Sequence, residues 1–146
     1  MVEPPRKRVF ISYARKDAAR LATELQRDLQ SGHDVWLDTN RIARGCSWTV
    51  EVEKAIDNCE VLLALLSPAS YVSDVCRAEQ LRALRCGKRV IPLLAAPGAG
   101  RPLHLETVNY RDFTAFPPAP HQLRQLCDDI LTGRDAAVLP QRFRKT

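Results

Sequence analysis

The sequence predicts an α/β domain in which a parallel sheet is covered by helices on both faces, and three observations carry that expectation. From Arg8 the signals run strand, helix, strand, helix, strand, helix, strand, then a looser strand and a last helix. Such alternation is what parallel strands joined by crossover helices require. The run Val61-Leu62-Leu63-Ala64-Leu65-Leu66 is apolar at every position, as a central strand buried on both faces must be. The 146 residues, 45% hydrophobic and 27% charged, suit one domain with a full core that needs neither disulfides nor metal.

The first strand is Arg8-Val9-Phe10-Ile11-Ser12-Tyr13, β-branched and aromatic. After a short polar turn, Asp17 is placed to cap a helix with Leu21, Leu25 and Leu29 on one face, ended by Gly32. Asp34-Val35-Trp36-Leu37-Asp38 reads as a short strand, and the polar and basic loop from Asp38 to Ser47 is long for an α/β connection. Ser47 then opens a helix in which Trp48, Val52, Ala55, Ile56 and Cys59 recur with helical period.

The central strand stops at Ser67-Pro68, and a helix runs from about Ser73 to Gly87 with Asp74 placed favourably against its dipole. Arg89-Val90-Ile91-Pro92-Leu93-Leu94 is the fourth strand, which Pro92, lacking a ladder donor, assigns to an end or an edge. Ala95 to Pro102 is a loop and Val108-Asn109-Tyr110 a short edge strand. Pro117 to Pro120 leads into a closing helix with Leu123, Leu126, Cys127, Ile130 and Leu131 inward, stopped at Gly133.

Charge and cysteine usage narrow the function. Lys and Arg number 22 against 17 Asp and Glu, a net charge of +5. The excess sits in Arg6, Lys7 and Arg8 and in Arg142, Arg144 and Lys145, so the body is charge-balanced and gives nucleic acid no basic face. No apolar stretch approaches the roughly 18 residues that cross a bilayer, and the N-terminus has no signal-peptide core, which predicts a cytoplasmic protein without membrane contact. Cys46, Cys59, Cys76, Cys86 and Cys127 are scattered and never spaced C-x-x-C, so they read as reduced thiols, mostly in the core.

Phosphate-loop, dinucleotide and nucleophile-elbow signatures are absent, and His33, His104 and His121 pair with no nucleophile and show no metal-ligand spacing. In an open parallel sheet, ligands bind beyond the carboxyl ends of the strands. That rule selects Ser12-Tyr13-Ala14-Arg15, Asp38 onward and Ser67-Pro68. Glu79 is the candidate to project into the same crevice, because it shares a helical stripe with Val75, Cys76, Ala83 and Cys86 that is otherwise free of charge. The bland alternative is a surface pair with Arg82 three residues on, worth tenths of a kcal/mol (~0.2–0.5).

Val9-Phe10-Ile11-Ser12-Tyr13, Trp36-Leu37-Asp38, Gly45-x-x-Trp48, Leu66-Ser67-Pro68, Ser73-x-x-Cys76-x-x-Glu79 and Gly87-Lys88-x-Val90-Ile91-Pro92 follow one another in an order and spacing that resemble the Toll/interleukin-1 receptor (TIR) domain family, bacterial type. The resemblance implies a flavodoxin-like fold with about five parallel strands. It divides the chain into a basic tail over 1–8, a TIR domain over 9–133, and a linker over 134–146 toward a further domain.

The family's two activities are cleavage of NAD at the nicotinamide-ribose bond and non-enzymatic assembly of signalling complexes through TIR contacts. By resemblance, Glu79 matches the catalytic glutamate. Phe10, Ser12 and Tyr13 would line the nicotinamide and ribose, Arg15 and Arg41 meet the diphosphate, Asp38 and Gly45 shape the long loop, and Ser67 close a strand end. Many active members carry Trp where this chain has Val75, which implies either another stacking wall, such as Phe10 or Trp48, or a weak activity. The implied enzyme is an NAD glycohydrolase of immune or anti-phage defence, with NAD as substrate, no cofactor and no metal. Its implied partners are other TIR domains and further domains of the same protein. The implied alternative is a TIR interaction scaffold working through the Asp38 to Ser47 loop.

Overall fold

The computed structural model describes residues 5–37 and 50–132. Strand β1 (Arg8–Ser12) is followed by helix α1 (Arg15–Leu29), strand β2 (Asp34–Trp36), helix α2 (Val50–Asn58) and strand β3 (Val61–Leu66). Then come the short helix α3 (Pro68–Tyr71), helix α4 (Asp74–Arg85), strand β4 (Arg89–Leu94), a single 3-10 turn at Leu103–Leu105, strand β5 (Arg111–Asp112) and helix α5 (Pro120–Thr132). All strand pairs are parallel, in the order β2-β1-β3-β4-β5. The all-apolar β3 is the middle strand, buried at every residue.

Side chains of a strand alternate between faces, and here the alternation separates two cores. Val9, Ile11, Tyr13, Leu63, Leu65, Ile91 and Leu93 meet α1 through Leu21, Leu25 and Leu29, and α5 through Leu126 and Ile130. Phe10, Leu62, Ala64, Leu66 and Val90 meet α2 through Val52 and Ile56, and α4 through Ala83. Each fully buried leucine or isoleucine contributes about 1.5–3 kcal/mol of transfer free energy, so the two faces together hold the sheet between the helices.

Four expectations are corrected. Asp17 does not cap α1, whose start at Ala14 has no side-chain cap. Instead, it reaches across to α3: the Ser67 hydroxyl donates to its Oδ1 (2.7 Å) and the Ala69 N–H to its Oδ2 (2.9 Å). Pro92 does not mark an edge strand, since β4 lies between β3 and β5. The Arg89 and Ala95 amides turn to β3, whereas the Leu94 carbonyl accepts from Phe113 on the other side. Pro92 shares Leu94's orientation, and β5 pairs only with Leu93 and Leu94, so the missing donor falls beyond the reach of β5.

The last strand forms at Arg111–Asp112 rather than at 108–110. It is two residues long and is fixed by its pairing and by Arg111, not by a pattern of its own. Cys86, read as part of the inward stripe, is the C-cap residue of α4 and is exposed. Of the other cysteines, Cys59 and Cys76 are buried and Cys127 half-buried.

Candidate active site

Helix α4 carries the carboxylate into the core. Its N-cap, Ser73, accepts the Cys76 N–H at 3.1 Å, Asp74 lies in the first turn, and Gly87 leaves the helix at φ 77°, a conformation that favours glycine. The inward face of the helix is Cys76, Glu79, Gln80 and Ala83. Glu79 is 0% exposed, as is Ser12 at the carboxyl end of β1. The Ser12 hydroxyl donates to Glu79 Oε1 at 2.8 Å, a bond between residues 67 positions apart.

Arg82, the sequence neighbour that would make Glu79 a surface pair, instead takes both oxygens of Asp57 at 2.9 Å and approaches Glu53 at 3.3 Å. Burying a carboxylate is costly unless hydrogen bonds hold it. Ser12 supplies one such bond, and the register of β1 between β2 and β3 fixes where it points.

The other expected site residues divide. Phe10 shares a strand face with Ser12, is fully buried, and stacks on Trp36 with centroids 4.9 Å apart and planes 11° from parallel. Tyr13 falls on the opposite face, within the α1/α5 core. Arg15 is the exposed first residue of α1. Ser67 is fully buried with its hydroxyl committed, donating to Asp17 and accepting the Ser70 N–H at 3.2 Å, while its own N–H donates to Ser70 Oγ. That reciprocal pair is a capping box, so Ser67 serves the start of α3. Asp38, Arg41, Gly45 and Trp48 lie outside the described residues.

Three features escaped the sequence reading. The Pro68–Tyr71 turn was signalled by Ser67-Pro68-x-Ser70, a capping serine with proline at the first helical position. Gln80, 1% exposed beside Glu79, pairs with His104 Nε2 at 2.8 Å and so docks the 3-10 turn on α4. Burial, with help from Arg77, holds the His104 pKa below its ordinary value. Trp36 is the stacking partner of Phe10, which strand pairing of Phe10 with Trp36 explains.

A groove of about 410 Å³ between α2 and β2 is floored by Trp36, Ala55 and Cys59 and includes neither Glu79 nor Ser12. Burial pushes the Cys59 thiol up to about 11, so it is protonated and a poor nucleophile at neutral pH. Among the described residues no group of three His, Cys, Asp or Glu side chains is placed to hold a metal ion. No helix among them is long and apolar enough to cross a membrane.

The five-stranded parallel sheet, with the Glu79 carboxylate of α4 buried against the carboxyl end of β1, makes this a flavodoxin-like α/β domain. Residues 9–127 match the family model described as TIR domain; the chain belongs to the TIR-domain family. Among solved structures it is similar to the TIR domain of the Toll-related receptor TRR-2 from Hydra magnipapillata, with 23% identity, TM-score 0.67, and coverage of 85% of this chain and 98% of that one. It is also similar to the CMP N-glycosidase BcmB of Clostridium botulinum, with 23% identity, TM-score 0.55, and coverage of 83% and 98%. No curated protein matches the sequence.

Proposed function

We propose that this TIR domain, of bacterial type, is an NAD glycohydrolase that releases nicotinamide and leaves ADP-ribose or a cyclic isomer. The observation that carries the reading is Glu79, fully buried on α4 with Oε1 held by Ser12 at the end of β1. The nicotinamide of NAD is cationic and departs as a neutral amine, so no general acid is needed. What remains is to stabilise an oxocarbenium-like ribosyl centre, which one fixed carboxylate does, until water, losing a proton, or an adenine nitrogen of the same molecule bonds to it and gives ADP-ribose or the cyclic isomer. Glycosidases that expel an alkoxide need a second carboxyl group for that reason. The Clostridium botulinum protein, a CMP N-glycosidase on a similar fold, acts on the same class of bond.

Glu79 has no exposed surface, so substrate reaches it only when its surroundings part. That favours an enzyme switched on by assembly with other TIR domains; a cytoplasmic place in immune or anti-phage defence is part of the same proposal and rests on the family resemblance alone. The same burial, with Val75 where many active relatives carry Trp, supports the second reading, a scaffold that works by binding TIR domains alone. The test is chromatographic measurement of nicotinamide release from NAD at low and high protein concentration and with a crowding agent, for wild type and Glu79→Ala. Release that rises with concentration and vanishes in the variant is expected. No release from folded wild type under any condition leaves the scaffold.

A further inference from the structure

Where the sequence led us to expect an edge strand, at 108–110, the structure has a cavity. Strand β5 begins only at Arg111 and pairs with Leu93 and Leu94 alone, which leaves Val108, Asn109 and Tyr110 outside the sheet. A space of about 300 Å³ is enclosed by these three residues, Ile91, Arg111 and Arg101 of the preceding loop, and it includes neither Glu79 nor Ser12. Apart from Ile91 and Val108, each of these side chains can donate a hydrogen bond, and no carboxylate among the described residues lines the space. We propose that this cavity binds the phosphoryl group of a small phosphate ester or of free phosphate, with Arg101 as its principal ligand.

Arg101 is held in place but not neutralised. Its Nη1 donates to the Glu106 carbonyl at 3.0 Å and to the Val108 carbonyl at 3.5 Å, and its guanidinium lies over the Tyr110 ring, 4.6 Å from the centroid. These contacts use Nη1 and the face of the group, and among the described residues Nε and Nη2 have no partner and no carboxylate pairs with the charge. Arg111 is the contrast, since Asp129 takes its charge through both carboxylate oxygens, at 2.7 and 2.9 Å. One guanidinium therefore builds the wall, and the other brings an unbalanced positive charge to it.

An arginine fork matches two oxygens of a phosphoryl group, and ordering it beforehand lowers the cost of binding. The Asn109 amide and the Tyr110 phenol are further donors on the same cavity. A volume of about 300 Å³ is at the small end for ligand sites, which suits a phosphate carrying at most a sugar. A second space of about 300 Å³ also borders Arg101 and Tyr110 but includes Glu106, whose carboxylate repels an anion. The phosphoryl group therefore belongs to the first.

The test is a titration of the full chain, followed by amide NMR at constant ionic strength, with sodium phosphate, with ribose phosphate and with ribose as the uncharged control. Saturable shifts at Arg101, Tyr110 and Arg111 are expected with phosphate or ribose phosphate, and none with ribose. Equal affinity for the two anions assigns the site to free phosphate, and tighter binding of ribose phosphate assigns it to an ester. Arg101→Gln should weaken binding by about tenfold or more, the worth of charge-assisted hydrogen bonds. Arg101→Lys, which keeps the charge and loses the fork, should weaken it by a smaller factor. Arg85→Gln removes the same charge from the exposed end of α4 and should change affinity by less than about twofold, since salt screens distant exposed charges.

No saturable shift at these amides in wild type, equal binding of ribose, or unchanged affinity in folded Arg101→Gln overturns the proposal. So does a loss in Arg85→Gln as large as that in Arg101→Gln. If Arg101→Gln does not fold, Arg101→Lys decides: weakened binding supports the site, and wild-type affinity overturns it. The glycohydrolase reading stands or falls separately.

Discussion

The two faces of the sheet are built from the same alternating strands, yet they treat a buried carboxylate differently. On the α1/α5 face, Asp129 is 2% exposed and lies at the flank, where Arg111 grips both its oxygens at 2.7 and 2.9 Å. That pair stitches the last helix to a strand of two residues, a junction too short to hold by backbone bonds alone. On the α2/α4 face, Glu79 sits deeper, at the end of a central strand, and the Ser12 hydroxyl takes its Oε1. A guanidinium clamp locks the first carboxylate to a strand, whereas the second accepts a hydroxyl from the sheet. The first face holds its carboxylate in structure, and the second is the face that carries the proposed chemistry.

Breaking the holding face gives the largest expected effect. Arg111→Ala leaves Asp129 buried and without its guanidinium, and should destabilise the fold by about 3–5 kcal/mol, read from urea denaturation. Leu25→Ala, in the core beneath α1 and fully buried, should cost about 2–5 kcal/mol by cavity formation. Asp17→Ala removes the carboxylate that receives Ser67 and the Ala69 N–H. It should cost about 1 kcal/mol, the usual worth of a helix cap, and loosen α3 in hydrogen exchange ahead of the rest.

The smallest effect is a pH dependence. His33 is buried, and its Nδ1 accepts the Lys7 N–H at 3.1 Å. Burial first, then the charge of Arg6, holds its pKa below the ordinary 6.5. The fold therefore prefers the neutral ring. The contribution is complete above pH 6.5 and is lost as pH falls from there through the lower folded pKa. The urea midpoint should drop between pH 7.5 and 5.5 in wild type, and less so in His33→Gln.

Much of this was legible in the sequence, for reasons that also explain what was not. Strand β3 announced itself because a strand covered on both sides must be apolar throughout, and α4 because Ser73, Asp74 and Gly87 mark its ends. Helical period placed Glu79 inward, whereas the resemblance grouped Phe10, Ser12 and Tyr13, of which strand alternation sends Tyr13 to the opposite face. Nothing in the sequence says which helix covers which face, so the Ser12 to Glu79 bond, closed over 67 positions, was invisible. Asp17 was misread for the same reason. A capping residue looks the same in sequence whether it serves its own helix or one 50 positions away. Strand β5 failed on length, since two residues carry no alternation and its position is set by Leu93 and Leu94.

If Glu79 serves catalysis and not stability, Glu79→Gln separates the two. The substitution keeps the side chain's size and an acceptor for Ser12 while removing a buried charge. Urea denaturation and nicotinamide release should be measured on the same preparation, beside wild type at the concentration where wild type turns over. Release should be lost while the unfolding midpoint is unchanged or raised. Retained release from the folded variant contradicts a catalytic Glu79.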